Sequence, residues 1–283
     1  MRLDDEQESV HVEDRRGQGR SMTGRGIGIG TIALALLAMY FGIDPSVVLN
    51  VGQELQQGAP QAQTQAAPPE TEQSIFVKKV LANTERTWQG IFKASGGTYQ
   101  PPTLVLFTGM TETHCGTGQA AMGPFYCPAD QKVYIDLSFY DELKHKYQAA
   151  GDFAQGYVIA HEVGHHVQNL VGTSEKVQRA RQQAGSEAEA NQLSVRLELQ
   201  ADCYAGVWAA YAGMENRIED GDIEEALHAA AVIGDDALQK KAQGYAVPDS
   251  FTHGTSEQRM RWLKKGLSSS DIAQCDTFSV TNP

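Results

Sequence analysis

Residues 27–43, IGIGTIALALLAMYFGI, run without a single charged side chain, and no other stretch so narrows what the chain can become. At ~1.5 Å rise per residue, a helix of that length covers most of a ~30 Å hydrocarbon layer. Arg15, Arg16, Arg20 and Arg25 precede it with no acid after Asp14, and the next basic residue downstream is Lys78. An excess of basic residues marks the cytoplasmic side of a span. The pattern predicts an uncleaved single-pass anchor, with a cytoplasmic segment over 1–26, a transmembrane helix over 27–43 and a body exported beyond the membrane. No small-x-small site follows cleanly, which argues against a cleaved leader.

Residues 44–73 are rich in Gln, Ala and Pro, and Pro60, Pro68 and Pro69 oppose helix. Such a composition has too little apolar surface to fold and reads as a flexible linker. Periodic apolar spacing returns at Ile75, so the folded extracytoplasmic domain is placed at 74–283. Ile75, Val80, Trp88, Ile91 and Phe92 follow a helical stripe, while TLVLF at 103–107 and VYID at 133–136 read as strands. The second strand is a candidate edge against which an extended peptide could lie. Helices are expected over about 153–171, 174–184, 187–212, 222–243 and 256–266, from cap residues and glycine stops. The fold class is α+β, mostly helical with a small sheet. With 23 Lys and Arg against 35 Asp and Glu, the net charge is −12 and no basic block is present, which excludes nucleic acid as a partner. The four cysteines form no CxxC pair, so a zinc ribbon is excluded as well.

The sequence His161-Glu162-Val163-Gly164-His165 has the spacing HExxH. Residues four apart stack on one helix face, so both imidazoles can reach one cation, and Glu162 stands next to the same point. A carboxylate there can take a proton from a water that zinc activates and later pass it to a leaving amine. Gly164 costs ~1 kcal/mol relative to Ala inside a helix, which is understandable if the site, or a neighbouring helix, approaches closely there. On a second helix, Glu198 and Asp202 again stand four apart, opposite an apolar side formed by Leu193, Leu197, Val207 and Trp208. Two inward carboxylates need a cation. Glu198 as third ligand completes a site of two His and one Glu for a single zinc, with a fourth position open, and Asp202 then supports the far nitrogen of a ligating His. The reversed assignment, Asp202 on the metal and Glu198 behind it, uses the same face.

Thr252-His253-Gly254-Thr255-Ser256-Glu257-Gln258-Arg259 opens a further helix through a Thr255/Gln258 capping box. His253, just before it, can reach into a cleft and donate to an oxyanion, with Arg259 holding substrate or site structure. His253 as third ligand and His253 as an ordinary loop residue are the alternatives. Cys115 and Cys127 bracket a Gly-rich loop, and in an exported, oxidising setting they form a candidate disulfide; Cys203 and Cys275 are the candidate second pair, although four cysteines allow three connectivities.

HEVGHHVQ at 161–168, ELQAD at 198–202 and THGTSEQR at 252–259, with KVYID at 132–136, CGTG at 115–118 and VEDRRG at 12–17, resemble the bacterial putative neutral zinc metallopeptidase family. The resemblance runs through nearly the entire chain. It implies a membrane-anchored, zinc-dependent peptidase of gluzincin-like, zincin fold acting on peptide or protein substrates. It also implies that His161, His165 and Glu198 stand at the zinc-ligand positions, Glu162 at the base and Asp202 at the supporting acid. The His253 segment is similar to the THP-type motif of membrane-associated heat-shock and prenyl-protein zinc proteases, with Gly254 in place of proline. The rival reading, a non-hydrolytic envelope protein with a structural zinc or a partner-binding cleft, requires four protein ligands and no open position.

Overall fold

The computed structural model describes residues 1–17 and 68–283. A capping box opens the first long helix: Ser74 N–H donates to Thr71 Oγ1 at 3.1 Å, and Thr71 N–H donates to Ser74 Oγ at 2.8 Å, which satisfies two of the amides a helix start leaves unpaired. That helix, α1 (Glu72–Ala94), buries Val77, Val80, Leu81 and Trp88. It is followed by β2 (Thr103–Phe107), a hairpin of β3 (Met110–Thr113) and β4 (Gly116–Gln119), and then β5 (Phe125–Cys127) and β6 (Lys132–Asp136), while β1 (Val12–Asp14) precedes them all. The main sheet has the order β1-β2-β6-β5, with β1, β2 and β6 parallel and β5 antiparallel to β6. VYID therefore lies inside the sheet and not at its edge. The edge strand beside it is β5, whose three residues between Pro124 and Pro128 are too few for periodicity to reveal.

The rest of the chain is helical: α2 (Ser138–His145), α3 (Asp152–Leu170), α4 (Thr173–Gln182), α5 (Glu187–Met214), α6 (Asp222–Val232), α7 (Asp235–Gln243) and α8 (Ser256–Ser269). The core lies where α3 and α5 cross, with Phe153 stacked on Trp208 at 5.4 Å between centroids. Gly164 is explained by this crossing, since a Cβ there would sit 3.1 Å from the carbonyl oxygen of Ala201. On the other side of α5, a Cβ on Gly266 would overlap the Cys203 carbonyl, so α8 can approach only because that position is glycine. The single helix expected over 222–243 is two. Gly234 is extended (φ −66°, ψ 143°), and a Cβ there would collide with Ser256, so the chain turns at that point and starts α7 at Asp235.

Residues 1–17, expected to stand apart from the body, are built into it. Beyond the pairing of β1 with β2, the Arg15 N–H donates to the Leu106 carbonyl at 2.7 Å, Ser9 Oγ donates to Glu85 at 2.7 Å, Arg86 clamps Glu6 at 2.7 Å, and Leu3 is buried. The transmembrane helix expected over 27–43 and most of the linker expected over 44–73 lie outside the described residues. Among the described residues no helix is long and apolar enough to cross a membrane. Both cysteine pairs are formed, Cys115–Cys127 with Cα atoms 5.8 Å apart and Cys203–Cys275 with 5.6 Å. The first ties the β3–β4 hairpin to β5.

Candidate metal centre

Helix α3 carries His161, Glu162 and His165 on one face, and α5 brings Glu198 to it. Glu198 Oε2 lies 3.2 Å from His161 Nε2, and Oε1 lies 3.4 Å from His165 Nε2. The two rings are 4.8 Å apart and at 89° to each other, and one donor atom from each of the three residues falls within 4.8 Å of the others.

The far nitrogens are already committed. His161 Nδ1 lies 2.8 Å from Asp202 Oδ1. Asp202 also accepts from Tyr157 Oη at 2.6 Å and from the Arg259 guanidinium at 2.9 and 3.0 Å, and all of these groups are buried. His165 Nδ1 lies 2.9 Å from Gln168 Oε1. With Nδ1 of each ring committed to its supporting group, the remaining nitrogen, Nε2, is aimed at the point Glu198 faces. Two Nε2 atoms around a partly buried carboxylate form a site that takes up positive charge, either as protons on the rings or as a metal ion in their place. Two nitrogens and one oxygen are a zinc-type donor set, and the residues present fit that ion. Asp202, occupied by His161, Tyr157 and Arg259, is not the carboxylate at the two Nε2 atoms.

The electrostatics follow from these contacts. Burial opposes the charge on His161, but Asp202 and Glu198 outweigh it and raise its pKa to about 10. Burial also opposes ionisation of Glu198, yet His165 and His161 hold its carboxyl well below the usual range. Asp202, buried as well, is held at about 2 chiefly by Arg259 and His161. Burial pushes the Glu162 carboxyl up. Glu162 makes no side-chain hydrogen bond among the described residues, so its oxygens remain free for a proton.

A cleft of about 850 Å³ opens over this cluster, lined by His161, Glu162, His165, Glu198 and His253 together with Met122, Phe125, Tyr126, Val158, Val177 and Leu238. Edge strand β5 supplies part of that wall. His253 sits on the loop before α8, about half exposed. Arg259, expected to hold substrate or site structure, is buried and spent on Asp202 and Tyr157. His166 bonds the Gln100 carbonyl at 2.6 Å and Tyr126 Oη at 3.0 Å, on the side of α3 away from the cluster.

Asp235 carries no motif or spacing that would single it out. Its Oδ2 accepts the backbone N–H groups of Thr252 (2.8 Å), His253 (2.6 Å) and Gly254 (3.0 Å), and Oδ1 lies 3.3 Å from His253 Nδ1. Only the break at Gly234 puts it there. Tyr157 and Gln168 were also missed, although each is detectable as a polar residue one helical turn from a ligating His. A second acidic group, Asp152, Asp222 and Glu225, is neutralised by the Met1 amino group, 2.9 Å from Asp152 and 3.1 Å from Asp222.

The family described as "Putative neutral zinc metallopeptidase" matches residues 1–278. A protein of Escherichia coli K12, "Uncharacterized protein YpfJ", is 53% identical over 98% of this chain and 99% of its own length. "Uncharacterized protein Rv2575" of Mycobacterium tuberculosis is 37% identical over 87% of this chain and 86% of its own. No solved structure matches the chain. The chain belongs to the putative neutral zinc metallopeptidase family.

Proposed function

We propose that the protein hydrolyses peptide bonds, with one zinc held by His161, His165 and Glu198 and with Glu162 as the general base. The observation that carries this reading is the pair of Nε2 atoms converging on Glu198 in an open cleft, with an unengaged, buried carboxyl beside them. Zinc bound there would supply a Lewis acid that acidifies a water and polarises the scissile carbonyl. Glu162, its ionisation weakened by burial, is suited to take the proton of the attacking water and return it to the leaving amine. Asp202 and Gln168 fix the two rings. His253, with Nδ1 against Asp235, keeps its other ring nitrogen free to donate to the oxygen that gains charge at the cleaved carbonyl.

Among the described residues three donors converge on this point, whereas a structural zinc takes four. This favours hydrolysis over the structural-zinc reading. The two disulfides fit an oxidising, extracytoplasmic compartment, which in this reading holds residues 1–17 together with the body. The test is incubation of purified protein with casein and a peptide library, with and without a chelator, followed by mass spectrometry. Chelator-sensitive products are expected. A zinc-loaded protein that cleaves nothing would leave the non-hydrolytic reading.

A further inference from the structure

His161 and His165 are braced in chemically different ways. His161 leans on an ionised carboxylate, whereas His165 leans on a neutral amide, Gln168, whose oxygen and nitrogen are alike in shape and opposite in hydrogen-bonding role. Nothing in the His165–Gln168 contact alone says which end faces the ring. The next two contacts settle it. The far end of the Gln168 amide lies 2.7 Å from the Leu197 carbonyl oxygen and 3.2 Å from Gln200 Oε1. A backbone carbonyl can only accept, so the group facing Leu197 is the NH2, and the group facing His165 is Oε1.

Gln200 is fixed by the same logic. Its amide lies 2.9 Å from the carbonyl of Cys275, again an acceptor only, so Gln200 turns its NH2 to Cys275 and its oxygen to Gln168. Cys275 is held in place by its bond to Cys203, one turn along α5 from Leu199 and Gln200. The segment after it is anchored in turn, since Thr277 is buried and its hydroxyl donates to the Arg196 carbonyl at 2.6 Å. Gln168 and Gln200 are themselves buried, so no water competes for these groups.

We propose that Gln168 and Gln200 are positioning residues for the metal centre: a relay of two amides, oriented by the carbonyls of Leu197 and Cys275, that obliges His165 to carry its proton on Nδ1 and present Nε2 as a lone pair. The inference rests on the reading of His161, His165 and Glu198 as zinc ligands. It goes beyond that reading by making the disulfide-bonded segment around Cys275 part of the apparatus that prepares one ligand. An imidazole in the other tautomer would turn an N–H towards the ion and could not bind it.

The test measures the zinc dissociation constant by chelator competition in the wild type, Gln168→Leu and Gln200→Leu, each checked by circular dichroism and thermal melting. Supports of this kind alter metal affinity by about tenfold to a hundredfold. Gln168→Leu is expected to weaken zinc binding within that range. Gln200→Leu, which does not touch His165, is expected to weaken it in the same direction by a smaller factor, and it carries the test if Gln168→Leu fails to fold. In the cobalt-loaded protein, the exchangeable Nδ1–H resonance of His165 should be slow to exchange in the wild type and fast in both variants, while that of His161 is unchanged. Folded variants that bind zinc as tightly as the wild type, with His165 Nδ1–H still protected, would overturn the relay. Absence of zinc binding by the wild type would instead overturn the metal reading beneath it, so the two failures are distinguishable.

Discussion

Asp235 grips His253 from two directions, accepting its backbone N–H at 2.6 Å and lying 3.3 Å from its ring Nδ1. The first contact sets the loop, and the second sets the ring and its charge. The hydrogen bond to Asp235, with Glu198 nearby, raises the His253 pKa above the usual imidazole value against the opposing effects of burial and Arg259. The protonated ring therefore persists to higher pH than in an unfolded chain. Its stabilising contribution is complete below the unfolded pKa and is lost as pH rises through the folded one. Peptidase activity that depends on proton donation by His253 should fall along the same limb. Asp235→Asn is expected to move the alkaline limb of the kcat/KM profile to lower pH; an unshifted profile would remove His253 from the chemistry.

Glu162→Gln keeps the size of the side chain and removes its ability to accept a proton. General-base catalysis contributes about 10²- to 10⁴-fold, so kcat should fall within that range while zinc content stays the same. Retained hydrolysis of an unfolded protein substrate would assign the base elsewhere.

Asp202 and Arg259 form a buried ion pair behind His161. Asp202→Asn should weaken zinc binding about tenfold to a hundredfold. Arg259→Leu strands a buried carboxylate, and urea denaturation should show a loss of about 3–5 kcal/mol. Because Asp202 is held at about 2, below its unfolded value, its stabilising contribution is present above the unfolded pKa and disappears as pH falls towards the folded one. Acid unfolding of the wild type should track that window, and Asp202→Asn should flatten it.

The Arg16 guanidinium reaches the Pro69 carbonyl at 3.5 Å, so the ends of the two described segments lie close to each other. Excising residues 18–67 and bridging Gly17 to Pro68 with a short Gly-Ser linker should give a protein that melts like the full chain and binds zinc equally well. Deleting residues 1–17 should instead lower the melting temperature, since it removes β1, buried Leu3 and the Glu6–Arg86 pair. If excision unfolded the domain while deletion did not, the placement of β1 in the sheet would be wrong.

The two helices of the candidate metal site were legible in the sequence because their pattern is local: His161 with His165, and Glu198 with Asp202, each share a face by spacing alone. The Cys115–Cys127 pair could be expected from its short loop, whereas Cys203–Cys275 was one of the connectivities four cysteines allow. What stayed hidden depends on long-range packing. Strand β1 lies far from β2 in sequence and carries only three residues, and β5 is equally short. The break at Gly234 sits in an apolar, helix-like stretch, and only the approach of Ser256 forces it, so Asp235 could not be seen as the partner of His253. Arg259 could be singled out from its motif but its partner could not, because the contact with Asp202 depends on the glycine-permitted approach of α8 to α5.

The most direct test of the central claim is anomalous diffraction at the zinc edge from crystals of the protein grown with zinc. One peak is expected, at about 2.0–2.2 Å from Nε2 of His161, Nε2 of His165 and a carboxylate oxygen of Glu198, with its remaining position facing the cleft. A zinc closed off by a fourth protein ligand, or a peak away from these three side chains, would contradict the account.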